Sequence, residues 1–331
     1  MRSGSPLNVA VVGLGWWGRT IAGLLKGSSK LRIAVGIDVA VTGEFEFPVE
    51  KEFEKALKDP AVEAVILCTP HSQHCDQIVR AANAKKHVFC EKPLSLNRAD
   101  VLRAVAACNA NGVALAVGHE KRFEPPVVEL FRMAAAGELG TLLQVEGNFS
   151  QDKFLSMPAD NWRLTEKEAP AGPMTATGIH LLDLSVGLLG PAANVRACVR
   201  QLASRLVNGD SLSVQVSFKN GSNALLSAIL ATPFDGRFAV YGSNGWAEVR
   251  DKAHPESPEG WTLTTTLKNE PKIVKDYPPA KAVLANLEAF ADAATGGAPY
   301  PVPQGQMIAN IAALEAVFKS AKSGQIEEVT Q

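Results

Sequence analysis

Along the first 120 positions, short apolar runs alternate with amphipathic stretches. NVAVVGLGWWGRTIAGLL (8–25) reads as a β run, a glycine turn and a helical pattern, and LRIAVGID (31–38) is a second apolar β run. FEKALKDPAVEAVILCTP (53–70), HCDQIVRAANAKKHVFCEKPL (74–94) and RADVLRAVAACNANGVALAVGH (98–119) each repeat helix and then strand. Apolar strands joined by amphipathic helices predict an α/β unit with a doubly wound parallel sheet. After RFEPP the rhythm changes. LLQVEGNFS, VRACVRQLA, SLSVQVSFKN, NALLSAILA and RFAVYGSNGWAEVR alternate or carry branched residues, with turns such as KNGS between them. That pattern predicts antiparallel hairpins.

Composition narrows the class. The chain has 331 residues, enough for two ordinary domains, with 46% hydrophobic and 20% charged residues. Its 33 basic and 34 acidic side chains leave a net charge of −1, so neither a nucleic-acid face nor an anionic-membrane surface is expected. The start, MRSGSPLNVAVVG, lacks a leader layout and no apolar run reaches spanning length, which predicts a cytoplasmic protein. Five cysteines without a C-x-x-C pair point to reduced thiols. His71, His74 and Cys75 in HSQHC lack a closing set of ligands, so no metal is predicted.

The first turn carries the clearest chemistry. Gly13, Gly15 and Gly18 form G-x-G-x-x-G between a strand and a helix, the setting in which a pyrophosphate meets a helix N-terminus. Asp38 ends the next strand 20 positions after Gly18, where a carboxylate binds the ribose hydroxyls of a dinucleotide. Together these predict a Rossmann domain. A 2′-phosphate would meet a repelling carboxylate, and DVAVTG has no arginine to receive it, so NAD is expected over NADP. Ligands in such sheets sit beyond the C-terminal strand ends. Thr69, Pro70, His71 and His74 lie at one such end, and Glu91 and Lys92 at the next. With Trp16 and Trp17 in the glycine turn they complete the expected cofactor contacts.

VVGLGWWG, DPAVEAVILCTPHSQH, AKKHVFCEKPLS, RFEP, AAGELGTLLQVEG, WRL, GIHLLDL and LEAVFKSAKSG occur in order over nearly the whole chain. In these the sequence resembles the Gfo/Idh/MocA oxidoreductases, the family of glucose–fructose oxidoreductase and inositol dehydrogenase. The resemblance implies a Rossmann domain (1–122) and a C-terminal α+β substrate domain (123–331). The latter would hold an open, mainly antiparallel mixed sheet whose face pairs subunits into a dimer or tetramer. It also implies an NAD-dependent dehydrogenase acting on a hydroxyl of a sugar, cyclitol or related polyol.

The resemblance assigns Lys92 to the reacting oxygen, Glu91 to the ribose or to orienting that lysine, and His180 to the base. Glu120, Arg122, Trp162, Arg163, Thr175, Thr177 and Asp183 are the expected substrate contacts, with Asp152 beside them. Surrounded by Ile179, Leu181 and Leu182, His180 would otherwise read as a core histidine. One departure stands out: sugar and cyclitol dehydrogenases of the family commonly carry aspartate four residues before this histidine, and here the residue is Ala176. Three arrangements are open. Asp183 orients His180 from the next turn; Thr175 or Thr177 takes the aspartate's place; or the protein binds without reacting, as an NAD-dependent sensor.

Overall fold

A computed structural model describes residues 5–40 and 42–330. Among them, β1 (Leu7–Val12), β2 (Leu31–Ile37), β3 (Val49–Glu50), β4 (Ala64–Leu67), β5 (His87–Cys90) and β6 (Leu115–Val117) form one parallel sheet. The order is β3-β2-β1-β4-β5-β6. The direction of winding therefore reverses between β1 and β4, the switch point at which doubly wound sheets bind ligands. Helices α1 (Trp16–Leu25), α2 (Phe53–Lys58), α3 (His74–Asn83) and α4 (Arg98–Asn111) connect the strands. The boundaries of α4 follow from its sequence. Asn97 accepts from the Asp100 amide at 2.9 Å, and Gly112 ends the helix at φ +65°.

The second sheet contains β7 (Leu142–Ser150), β8 (Ala192–Arg200), β9 (Ser211–Phe218), β10 (Asn223–Ile229), β11 (Asp235–Gly242), β12 (Gly245–Asp251), β13 (Trp261–Leu267), β14 (Ile273–Tyr277) and β15 (Glu327–Glu328). Its order is β14-β13-β12-β11-β7-β10-β9-β8-β15. The β7–β10 pair is parallel and the others are antiparallel, so the sheet is mixed and mainly antiparallel. Helices α5 (Pro125–Ala135) and α6 (Ile179–Leu189) belong to this unit. Along β9, Leu212, Val214, Val216 and Phe218 point inward while Ser213 and Gln215 face out, the alternation that the sequence displays. Gly147 allows Leu181 of α6 to sit on the sheet, since a Cβ there would lie 3.0 Å from its side chain.

Contacts divide the chain differently from the expected 1–122 and 123–331. The described residues up to Glu120 form one unit together with Val283–Ile308, while Lys121–Ala282 and the residues from Ala309 form the other. The reason is apolar. From α7 (Ala282–Ala294), Leu284, Leu287, Phe290 and Ala291 join the core made by Val9, Val11, Ile66 and Phe89. Polar groups add to this: the Tyr300 hydroxyl lies 2.8 Å from the Val117 carbonyl oxygen and 2.6 Å from Asn286 Oδ1, with one proton to give, and buried Asn286 donates to the same carbonyl at 3.0 Å. The last long helix, α8 (Gln304–Ser323), begins in the first unit and ends in the second.

Phe290 tests this division. It is wholly buried, with its ring edge-on to Phe89 at 5.9 Å. Phe290→Ala should destabilise the first unit by about 3–5 kcal/mol. In denaturant melts this unit should then unfold ahead of the other; a change below about 1 kcal/mol would contradict the shared core.

Candidate active site

Built from the backbone upward, the glycine turn is explained by three different needs. Gly13 adopts φ +87°, and a Cβ there would lie 2.8 Å from the Cys68 carbonyl oxygen. A Cβ on Gly18 would fall 1.9 Å from the Gly13 oxygen, so α1 can approach the turn only with glycine there. Gly15, at the N-cap of α1, has no atom within 4 Å of its Cβ position, and no side chain caps the helix. The turn is thus tight at its first and third glycines and open at its second, which fits a pyrophosphate lying on backbone amides.

Asp38 follows β2 and is half-buried. Its carboxylate accepts from the Leu14 amide at 2.7 Å and from the Ala40 amide at 2.9 Å. Two backbone donors therefore fix the group beside the glycine turn. Arg19, not anticipated by the sequence reading, donates to the Leu14 carbonyl at 2.9 Å and to the Thr42 carbonyl. Its guanidinium lies 4.6 Å from the Phe45 ring centroid. Trp16 is exposed, and its ring is 5.3 Å from that of half-buried Trp17.

The strand ends at β4 and β5 are joined by one imidazole. His74 is fully buried, with Nδ1 2.7 Å from the Pro93 oxygen and Nε2 3.0 Å from the Thr69 oxygen. Expected among the cofactor contacts, it instead has both nitrogens turned to backbone carbonyls and braces the E-K-P turn. The Thr69 hydroxyl donates to Gln77 at 2.5 Å, Pro70 precedes a short 3₁₀ turn (His71–Gln73), and buried His71 packs edge-on to His74 at 5.7 Å.

Glu91 is buried and its carboxylate lies where a side chain on residue 118 would be. A Cβ on Gly118 would sit 2.5 Å from Glu91 Oε2. Burial, reinforced by the negative charge of Glu120, pushes the Glu91 carboxyl up to about 7, against the pull of Trp17 and Lys92. Half-buried Lys92 follows, joined to Pro93 by a cis peptide, and its amide donates to Glu91 at 3.2 Å.

In the second unit, His180 is the second residue of α6, 3% exposed, with its ring 5.9 Å from that of Phe149. The five residues before α6, Met174–Gly178, form a π turn in place of the expected α turn, and the Ile179 amide bonds to the Met174 carbonyl. Here the substrate contacts expected at Thr175 and Thr177 are corrected. Both are almost wholly buried; Thr175 donates to the Gly172 carbonyl at 3.1 Å and Thr177 to the Phe149 carbonyl at 2.8 Å. Their hydroxyls stabilise the turn. Ala176 packs against the apolar cluster of Leu164, Leu206 and Leu230.

Arg122 and Asp183, also expected at the substrate, form a buried bidentate ion pair with N···O distances of 2.6 and 3.1 Å. Arg122 further donates to the Asp183 carbonyl at 2.7 Å and lies where a Cβ on Gly187 would be, 2.2 Å from its Nη1. The pair thus fastens α6 to the 3₁₀ turn Glu120–Phe123; the first residue of that turn, half-buried Glu120, belongs with Glu91 to the first unit and adds its negative charge to that carboxyl's surroundings. Half-buried Trp162 and Arg163 lie in a 3₁₀ turn, the guanidinium stacked 4.1 Å from the indole centroid, and Asp152 is exposed. Sequence reasoning missed Lys153, paired with Glu256, and His254, 2.5 Å from Gln151. Both sit in irregular segments where no periodicity marks them. Among the described residues no acidic, histidine and cysteine cluster could hold a metal.

With this geometry in view, similarity to known proteins decides the family. Residues 7–119 match the family described as "Oxidoreductase family, NAD-binding Rossmann fold", and residues 127–248 match the "GFO/IDH/MocA C-terminal domain". The chain belongs to the Gfo/Idh/MocA oxidoreductase family. Myo-inositol 2-dehydrogenase of Thermotoga maritima is 29% identical over 72% of this chain and 74% of its own length. D-xylose 1-dehydrogenase (NADP(+)) 2 of Haloferax volcanii is 25% identical over 88% of each chain. The aldose-aldose oxidoreductase of Caulobacter crescentus shares the fold with a TM-score of 0.83, at 24% identity over 98% of this chain and 99% of that one.

Two predictions arise from the site of this Gfo/Idh/MocA protein. Gly18→Ala should abolish NAD binding or folding of the first unit, since the added methyl overlaps the Gly13 oxygen; tryptophan fluorescence titrated with NAD reads the loss, and wild-type affinity would contradict it. The second concerns pH. A carboxyl raised from 4.5 to about 7 adds no penalty below its unfolded value and destabilises increasingly as pH rises through 7. Glu91→Gln removes that penalty, so the variant should gain about 1–3 kcal/mol on its parent between pH 5 and 8. A constant stability difference across that range would show that Glu91 ionises normally.

Proposed function

We propose that the protein is an NAD-dependent dehydrogenase that oxidises a secondary hydroxyl of a sugar, cyclitol or related polyol, or reduces the corresponding ketone. The observation that carries the reading is Lys92 at the end of β5, braced by His74 and backed by buried Glu91, in a chain that also supplies His180 at the start of α6. A nicotinamide cofactor, which the glycine turn and Asp38 would hold, would supply the acceptor for the hydride of the carbinol carbon. Lys92 donates a hydrogen bond to the oxygen of that carbon and stabilises the negative charge that grows there. His180 removes the hydroxyl proton, so the C–H pair leaves as hydride and the O–H proton goes to the imidazole.

With alanine at 176, Asp183 is the carboxylate three residues from His180 on the same helix, and Arg122 holds it in place. That carboxylate is spent on Arg122, so the working-base reading rests on the place of His180 at the start of α6; in the sensor alternative the imidazole has no catalytic task. Asp38 supports NAD over NADP, because two backbone amides fix its carboxylate beside the glycine turn and a 2′-phosphate bound next to that charge would be repelled. The related xylose dehydrogenase named for NADP(+) makes this preference a point to measure.

Homo-oligomerisation through the second sheet and a cytoplasmic location belong to the same proposal. The outer sheet face carries partly exposed Leu225 and Ile229 beside the Arg237–Glu146 and Arg237–Glu248 pairs, a mixture suited to a self-complementary contact. Among the described residues no helix is long and apolar enough to cross a membrane.

A panel of polyols, sugars and sugar acids with NAD, followed at the NADH absorbance, tests the reading. Lys92→Ala and His180→Ala should each lower kcat by about 10²–10⁴ while leaving NAD affinity within a few-fold. Undiminished turnover in either variant would remove that residue from the mechanism. Asp38→Ala should weaken NAD and narrow the gap to NADP in fluorescence titrations; equal affinities in the parent protein would contradict the preference.

A further inference from the structure

A groove of about 480 Å³ lies wholly within the second unit, among the segment 166–171, the end of β8, the β8–β9 loop and the last turns of α8. Small-molecule sites have volumes of this order. Its walls are apolar, with Pro170, Val199, Val207, Phe318 and Ala321 along them. The loop is fixed from beneath. Buried Asp210 accepts from the Leu202 and Ala203 amides at 2.9 Å and from the Ser204 amide at 2.7 Å. A Cβ on Gly209, at φ +95°, would lie 2.3 Å from Val199 Cγ1, so glycine there leaves room for the valine. Buried Asn208 ties the loop to the opposite wall: its side chain donates to the Ala169 carbonyl at 3.0 Å, and its carbonyl accepts from the Gly172 amide at 2.7 Å. On this rigid loop Val207 stays 68% exposed. The groove therefore has its shape before any ligand enters, which lowers the entropic cost of binding.

Two cations from separate elements line the same groove. Arg200 ends β8, and Lys322 stands in the last turn of α8. The Arg200 side chain donates through Nη1 to the Val199 carbonyl at 2.8 Å. Its Nε and Nη2 have no protein partner among the described residues, and they form the edge of a guanidinium that meets a carboxylate with two parallel hydrogen bonds. Against the two cations the lining sets one carboxylate, exposed Glu166, so it is net positive.

We propose that this groove is a further ligand site and that its ligand is a free aromatic monocarboxylate. The ring lies along Phe318, Val199 and Val207, and the carboxylate meets Arg200 with Lys322 alongside. A neutral ligand gains nothing from the two cations, and a doubly charged one sets its second charge against Glu166. The site is independent of the dehydrogenase reading, since neither Lys92 nor His180 takes part in it.

Calorimetry with 2-naphthoate and its neutral counterpart 2-naphthylmethanol tests the site on the full chain. The acid should bind with Kd of about 0.1–1 mM, as expected for a ligand of its size, and the alcohol about ten-fold more weakly for want of a charge-assisted hydrogen bond. Arg200→Met should remove that ten-fold preference, and Arg200→Lys should keep part of it. Glu166→Gln should tighten the acid, and added salt should weaken the acid more than the alcohol. Phe318→Ala should weaken both ligands; should that variant fail to fold, Val207→Asp on the exposed loop reads the same wall. Amide hydrogen exchange should slow on binding in the segments 199–209 and 318–322, and saturating NAD should leave the Kd of the acid unchanged. No binding of the acid, equal binding of acid and alcohol, or a preference that Arg200→Met leaves intact overturns the inference. So does competition with NAD, which would put the acid in the dinucleotide fold. An acetylated tripeptide ending in phenylalanine that binds ten-fold tighter than the acid would overturn the free ligand in favour of a peptide terminus.

Discussion

Lys121 and Arg122 put two adjacent positive charges into the interior of the second unit, and the position of His180 depends on how those charges are answered. Lys121 meets Glu124 at 3.2 Å and Asp251 at 3.1 Å, while Arg122 grips Asp183 with two donors. Removing cations from water costs several kcal/mol each, so the arrangement holds only while every partner is in place. Two of the partners come from distant parts of the chain, the end of β12 and the middle of α6, and the third, Glu124, from the residue just after the turn. Asp251 also accepts from the Trp261 indole at 3.0 Å, and the absent side chains of Gly187 and Gly236 leave room for Arg122 and Asp251. A register is thereby imposed on α6, and with it on the imidazole one turn earlier.

The first unit solves a different problem, bringing backbone rather than charge close together. Three glycines give it a turn that is crowded on two sides and open on the third, and a carboxylate held by two amides closes it. His74 then ties the next two strand ends together, which keeps Lys92 at a fixed height above the sheet. Neither arrangement relies on flexible side chains. That suits a site in which misplacement by an ångström is costly.

Much of this was legible in the sequence. The glycine spacing, the acidic strand end and the change from helical to alternating patterning are local signals, and the Rossmann unit and the mixed sheet follow from them. The ownership of residues 283–308 was not legible, because α7 looks like any apolar helix until Phe290 finds Phe89 across the chain. Nor was the fate of polar residues near His180. Thr175, Thr177, Arg122 and Asp183 have the chemistry of ligands, but Thr175 turns to the nearby Gly172 carbonyl, and the others meet partners that only tertiary structure brings within reach. The π turn likewise has no periodic signature; its backbone bond from Ile179 to Met174 is accompanied by the Thr175 and Thr177 hydroxyls on backbone carbonyls. Lys153 and His254 went unremarked for the same reason, lying in segments without a repeat.

Hydride transfer is the central claim, and isotope transfer tests it most directly. The protein, supplied with NAD and a mixture of hexoses and hexuronates deuterated at every carbon, should yield reduced cofactor one mass unit heavier than NADH. Labelled cofactor should form about 10²–10⁴-fold more slowly when Lys92→Ala or His180→Ala replaces the parent protein. Reduced cofactor without deuterium, or none formed from any carbon-deuterated sugar or sugar acid, would contradict the account.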